Sequence, residues 1–183
     1  MSKIKRLLNN YDSHIAVPWR DAAAAQRVIF CVYPQSDELR LRYHLAEFEL
    51  TTQRRNHRWL HIDLTDSFAS WLTQQRYADK YFNKPELLNS LLPQYADYLQ
   101  KYIQTILDGA ASDANTVVAL SGVGTLFGLI KVKDLVDSVA PSVPGRLLVF
   151  FPGRYEDNNN FRLLDGYDGW NYHAFVITPD KEL

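Results

Sequence analysis

The residues most able to do chemistry lie in VVALSGVGTLFGLIKVKDLV, 117 to 136. An apolar run ends in Ser121-Gly122-Val123-Gly124, and a helical pattern follows. A nucleotide-binding loop takes this place, at the carboxyl end of a strand and before a helix whose free N–H groups favour an anion. Gly122 and Gly124 let backbone approach closely, and Ser121 and Thr125 offer hydroxyls. The spacing argues the other way. A phosphate loop of the GxxxxGK[ST] kind needs a Lys to neutralise charge, but Gly122 is followed by Gly128 and Leu129 stands where the Lys belongs. The G-x-G-x-x-G pattern fails at its third position, which is Phe127, and the first Lys is Lys131. Gly122, Gly124, Thr125 and Gly128 are candidates for a ligand or partner loop. The structural alternative is that Gly124 and Gly128 permit close helix-to-sheet packing.

Other chemistry is sparser. His61 and Asp63 are two apart in a strand pattern and share a face, but no HxH or HExxH motif supplies further metal ligands. His44 and Glu47, three apart on a helix, are set to pair. No GxSxG elbow surrounds a serine. Cys31 lies inside an apolar strand and reads as a small buried hydrophobe rather than a nucleophile. QRRNHRW, 53 to 59, gathers Arg54, Arg55 and Arg58 beside His57. Such a cluster suits phosphates or an acidic partner, or else a solvated helix end whose cations complement the dipole. The tail GRYEDNNNFRLLDGYDGWNY, 153 to 172, mixes Asn, Asp and Gly with aromatics, which predicts tight turns near Asp157–Asn160 and Asp165–Gly169. An EF-hand spacing is absent. Neither a metal nor a cofactor is expected.

These residues need elements to hold them. Ile4, Leu7, Leu8, Tyr11 and Ile15 predict an amphipathic opening helix over about 2–16, ending before Pro18. RVIFCVY (27–33), WLHIDL (59–64), TVVALS (116–121) and RLLVFF (146–151) read as strands, several covered on both faces. Pro152-Gly153 is expected to end the fourth. Ser36 is a candidate cap for the helix running to about Thr52. Thr65 or Asp66 is the candidate cap of a short helix through Trp71, and Asn83–Glu86 resembles a capping box. Tyr95, Tyr98, Leu99, Tyr102, Ile103, Ile106 and Leu107 form a helical stripe that Gly109 breaks. Leu129, Val132, Leu135, Val136 and Val139 mark the helix after the glycine loop. FRLLD (161–165) and HAFVIT (173–178) are expected to pair as a late hairpin. The alternation predicts an α/β fold: a three-layer sandwich with a mostly parallel central sheet, helices on both faces, and a C-terminal β-hairpin at one edge.

The bulk numbers agree with one domain over 1–183. The chain is 46% hydrophobic and 22% charged, with a net charge of −1, so nothing drives bulk attraction to nucleic acid or to acidic membranes. Aromatics reach 13%, which suits a large core or a partner surface. The lone cysteine leaves no disulfide framework. The start MSKIKRLLNNYDSH is charged and lacks an apolar signal core, and no apolar run approaches a membrane span. The expected setting is the cytoplasm.

Taken together, SGVGTLFGLIKVKDLV (121–136) and GRLLVFFPGRYEDNNNFRLLDGYDGWNYHAF (145–175) resemble the BrxB family of bacteriophage-exclusion (BREX) defence systems. RLLNNYDSHIAVPWRDAAAAQRVIFCVY (6–33) is similar to that family's start. The combination GVG-[ST]-LFG, LLVFFPG-x-YE and DGWNY carries the resemblance. Matching positions are Gly122, Gly124, Thr125, Phe127 and Gly128, then Pro152, Gly153, Tyr155, Arg162, Asp165, Trp170, Asn171 and Tyr172. Asp157-Asn158-Asn159-Asn160 departs from the pattern, since related chains often carry a Gly-containing turn there. The resemblance implies a non-enzymatic assembly or adaptor subunit that binds another BREX protein, foremost the alkaline-phosphatase-like PglZ, with nucleic acid contacted only indirectly. Tyr155, Arg162, Asp165, Trp170, Asn171, Tyr172, Arg54 and Arg55 are the candidate partner-binding residues. A degenerate nucleotide- or phosphate-binding domain using Gly122–Thr125 is the alternative.

Overall fold

A computed structural model describes residues 2–19, 23–156, 160–170 and 174–180. In chain order the elements are α1 (Lys3–Ala16), β1 (Val28–Tyr33), α2 (Glu38–Arg54), β2 (Arg58–Asp63), α3 (Ser67–Thr73), α4 (Ala78–Asn83), α5 (Leu92–Gly109), β3 (Thr116–Ser121), α6 (Val132–Val139), β4 (Arg146–Glu156), β5 (Asn160–Leu163), β6 (Gly166–Trp170) and β7 (Phe175–Ile177). The central sheet runs β2-β3-β4-β1-β7, and every one of these pairings is parallel. It carries helices on both faces, so the α/β three-layer sandwich is observed.

The inner strands β1 and β3 are buried throughout, and β4 from Leu147 to Gly153, because both faces are covered. Alternate residues point to opposite faces. Ile29, Cys31 and Tyr33, with Val117, Ala119, Leu148 and Phe150, pack under α1 and α2. Phe30 and Val32, with Val118, Leu120, Val149 and Phe151, pack under α3, α5 and α6. Cys31 is fully buried, as a core hydrophobe would be, and its burial pushes the thiol pKa up. The opening helix buries Ile4, Leu7, Tyr11 and Ile15, the four strongest positions of its stripe. Tyr11 also shares a 2.6 Å hydrogen bond with Thr52, tying α1 to α2 inside the core.

Several boundaries differ from expectation. β4 does not end at Pro152-Gly153 but continues to Glu156, exchanging partners as it goes. Pro152 still stands opposite Tyr33 of β1, whereas Gly153 stands opposite Leu163 of β5. Glycine is required at that exchange, because a Cβ on Gly153 would lie 1.9 Å from the Arg162 carbonyl oxygen. The hairpin is present, but FRLL pairs with GYDGW rather than with HAFVIT. A two-residue turn at Leu164-Asp165, with Leu164 at φ +54°, brings the nearer segment back first. The second predicted turn therefore lies just before Gly166, and 166–170 is strand. HAFVIT instead supplies β7, parallel to β1 at the sheet edge. The turn expected near Asp157–Asn160 involves 157–159, outside the described residues.

Helix starts also shift. Ser36 lies in a 3-10 turn over Gln35–Asp37, and α2 begins after it without a side-chain cap. Neither Thr65 nor Asp66 caps α3 through its side chain. The Asn83–Glu86 segment opens a 3-10 turn, Pro85–Ser90, with Pro85 in its first turn instead of forming a capping box. The glycine loop leads into one 3-10 turn, Val123–Leu126, and α6 starts only at Val132.

Candidate partner-binding site

Open α/β sheets gather ligands beyond the carboxyl ends of their strands. Here the chain's own side chains close much of that end. Asp63 ends β2, and its Oδ1 accepts from the Thr65 backbone N–H at 3.0 Å and from the Thr65 hydroxyl at 2.5 Å. Arg42 reaches over from α2. It donates to Thr65 Oγ1 at 2.7 Å and to Glu38 Oε1 at 2.9 Å, and lies 3.9 Å from Asp63 Oδ2. Tyr33, the last residue of β1, donates to Glu38 Oε2 at 2.5 Å. This latch joins α2 to the ends of β1 and β2. Burial raises the Asp63 pKa, but the two Thr65 bonds and Arg42 outweigh it and hold the carboxyl below its ordinary range. Burial raises the Tyr33 phenol, and Glu38 adds to the effect. His61 shares the Asp63 face, as its spacing requires, but pairs with Ser121 Oγ at 2.8 Å. Partial desolvation lowers its pKa.

The glycine loop is built into this latch. Gly122 adopts φ +72°, and a Cβ there would lie 2.6 Å from Thr65 N and 2.7 Å from Asp63 Oδ1. The Thr125 hydroxyl donates to the Gly122 carbonyl at 2.8 Å, and the Thr125 N–H donates to the same oxygen at 3.1 Å. At the next anion position, the start of α6, Asp168 of β6 accepts from the backbone N–H groups of Val132 (3.0 Å) and Lys133 (3.2 Å). Two carboxylates of the chain thus stand where a phosphate would be drawn, each satisfying local donors. Gly128 does not serve helix-to-sheet packing: a Cβ there would meet nothing within 4 Å, and glycine suits it through φ +74°.

The loop's outer side meets the hairpin. Gly124 lies against Pro152 and Leu164, its notional Cβ 3.2 Å from Pro152 Cγ. Gly166 lies under the Phe127 ring, its notional Cβ 2.5 Å from Phe127 Cε2. Phe127 remains 49% exposed and Tyr167 51% exposed. They flank a groove of about 330 Å³ that Leu129, Lys131, Leu163 and Asp168 also line. The Lys131 ammonium lies 6.0 Å from the Tyr167 ring centroid. A longer groove of about 560 Å³ continues from Leu129 and Lys131 along α5 and α6, past Pro93 and Asp134.

The other sequence candidates divide between the two ends of the sheet. Tyr155 packs on Phe161 with ring centroids 5.1 Å apart. Arg162 donates to Glu156 at 2.9 Å. Asp165 is exposed at the hairpin turn, 4.0 Å from Arg154. Trp170 ends β6, and Asn171 and Tyr172 lie outside the described residues. Arg54 and Arg55 end α2 before β2 begins, at the opposite, amino end of the parallel sheet, so they share no surface with the hairpin. Arg55 binds Asp12 through two 2.7 Å bonds, which hold the Asp12 carboxyl below its ordinary range. Arg58 donates to the carbonyls of Ala110 and Ala111. The expected His44–Glu47 pair forms at 2.7 Å. Among the described residues, no group of three or more His, Cys, Asp or Glu could hold a metal ion.

Sequence reasoning missed Arg42, Asp168 and Tyr167 as members of this region. Arg42 and Asp168 meet groups far away in the chain, and no local pattern marks them. Tyr167 had a signal, an aromatic between Gly166 and Asp168 in a turn-rich stretch. Among the described residues, no helix is long and apolar enough to cross a membrane. No curated protein and no solved structure matches the chain. A family model described as BREX protein BrxB matches residues 60–177, which take in most of β2, the glycine loop, the hairpin and β7. With that span covering more than half of its length, the chain belongs to the BrxB family of BREX proteins.

Proposed function

We propose that this BREX phage-defence component is a non-enzymatic adaptor that binds another BREX protein through the hairpin and glycine-loop surface, with the alkaline-phosphatase-like PglZ as its partner. It acts in the cytoplasm and meets nucleic acid only within the assembly. The observation that carries this reading is the exposure of Phe127 and Tyr167 on either side of one groove, with Lys131 beside them. Aromatics that flank a concave apolar surface are the usual anchors of an interface. The reading without catalysis is supported by the way Asp63, His61, Ser121 and Thr125 bond to one another or to backbone.

The test is recovery of tagged protein from cells carrying the whole BREX operon, with partners quantified by mass spectrometry. Wild type is expected to bring down PglZ stoichiometrically. The Phe127→Ala/Tyr167→Ala variant is expected to lose about tenfold or more in recovery, with only a small fall in melting temperature because both rings are half exposed. Recovery of the protein alone from wild-type cells would defeat the adaptor reading. Equal recovery by the double variant would move the interface elsewhere.

A further inference from the structure

A second surface lies on α2, away from the groove. Leu41, Phe48 and Thr52 face the core. On the opposite side Leu39 is 81% exposed, Tyr43 83% and Leu50 50%, with exposed Ala46 between them. The spacings of four, three and four residues place them on one straight seam along the helix. Leu39 and Tyr43 are more exposed than any other large apolar side chain among the described residues.

The charges beside the seam point to its occupant. One flank carries Arg40 and then Glu47, and the other carries Arg42 and then Glu49. Within the seam the first flank is basic first and acidic second, with Arg54 following beyond it; on the second flank Glu38 precedes Arg42 and is bonded to it. The first flank is complementary to itself when the helix is reversed.

We infer that α2 pairs with α2 of a second copy of this chain, antiparallel about a twofold axis between Tyr43 and Ala46. Leu39 then faces Leu50 of the second copy, and Tyr43 faces the small Ala46. Arg40, which bonds Asp37 within its own chain, comes beside Glu47 of the second copy, which pairs with its own His44, and by symmetry this contact occurs twice. Arg42 stays in its latch with Glu38 and Thr65, so the second flank adds no net charge attraction. A parallel pairing would stack Tyr43 on Tyr43 and Ala46 on Ala46, crowding one layer and leaving a gap in the next. A pair of single helices makes a small interface, so the association is weak and concentration-dependent. It is independent of the proposed adaptor surface, and a dimer would present two hairpin grooves.

Sedimentation equilibrium of the full chain over a wide concentration series tests this. The weight-average mass is expected to rise from 21.2 kDa toward twice that value. Tyr43→Glu should hold it at the monomer mass without lowering the melting temperature, since the side chain is exposed. Arg40→Glu should weaken association, and Arg40→Glu with Glu47→Arg should restore it. Orientation is read by mixing Tyr43→Cys and Ala46→Cys proteins under mild oxidation; the buried Cys31 stays out of the reaction. The mixed disulfide is expected. A monomer at the highest soluble concentration, a dimer that survives Tyr43→Glu, or disulfides of 43 with 43 alone would overturn the inference. Phe127→Ala/Tyr167→Ala should still dimerise, which keeps this result separable from the partner experiment.

Discussion

Two regions lie beyond the carboxyl ends of the strands, and they are built in opposite ways. Around Arg42 the polar atoms of Tyr33, Glu38, Thr65 and Asp63 bond to one another. Around Phe127 and Tyr167 the chain leaves aromatic rings exposed over a groove. Being at a strand end does not by itself make a ligand site. A buried polar group must find a partner, and in the latch that partner is the protein. Apolar rings left in water remain available to something else. The latch therefore predicts effects on stability, and the groove predicts effects on binding.

The comparison breaks hardest at Gly122. Gly122→Ala adds a Cβ in the left-handed region and forces it against Thr65 and Asp63. A loss on the order of 3 kcal/mol is expected in denaturant unfolding. Gly128→Ala shares the positive φ but points into open space, so about 1 kcal/mol is expected there. Equal losses would show that backbone angle, not the latch, limits the loop. Gly124, where the sequence suggested close packing, would meet the Pro152 ring at 3.2 Å and Leu164 at 3.8 Å, and its substitution should fall between the two.

Arg42→Ala is next in size. It removes the donors that hold Glu38 and Thr65, and a cost of about 2 kcal/mol is expected, with partner recovery unchanged. A loss of partner without a loss of stability would make the latch part of the interface. Asp168→Ala uncaps α6 at the cost of about 1 kcal/mol. It should speed hydrogen exchange at Val132 and Lys133 and also reduce partner recovery, because β6 carries both Asp168 and Tyr167.

The remaining expected effect is that of pH. Burial, with Arg146 nearby, lowers the His14 pKa to about 4, and the ring stacks on Phe175 of β7 at 3.8 Å. The unfolded chain takes up this proton first, near the ordinary value of about 6.5. The stability that neutral His14 contributes is therefore present above that value and is lost as pH falls toward 4. The melting temperature should decline between pH 7 and 5, and His14→Phe should flatten part of that decline. An unchanged slope would place the acid sensitivity elsewhere, for instance at His61, which shifts in the same direction.

Much of the fold was legible. The continuous apolar runs VIFCVY and TVVALS, covered on both faces, and the period-3.6 stripes of α1 and α5 follow from local side-chain patterning alone. Position 31 could be read as core for the same local reasons, whereas Arg58, read as a phosphate or partner contact or as part of a solvated helix end, lies in β2 and donates to the Ala110 and Ala111 carbonyls. The site was less legible. Pro152-Gly153 looks like a stop, yet the glycine only makes room for Arg162 of β5. SGVG looks like an anion cradle, yet Gly122 packs against Asp63 and Thr65, and the amides at the start of α6 are taken by Asp168. Asp168 meets the amides of Val132 and Lys133 from another strand, and no spacing within DGYDGW announces that bond.

The sequence by itself determined the α/β layering, the buried strands, the buried stripes of α1 and α5 and membership of the BrxB family, because each is written in local periodicity or in contiguous motifs. Only the tertiary structure decided that the glycine loop is latched by Arg42 and Thr65, that FRLL pairs with GYDGW, and that Phe127 and Tyr167 share a groove. Those outcomes depend on contacts between residues far apart in the chain, and which buried polar groups satisfy one another is settled only when the elements pack.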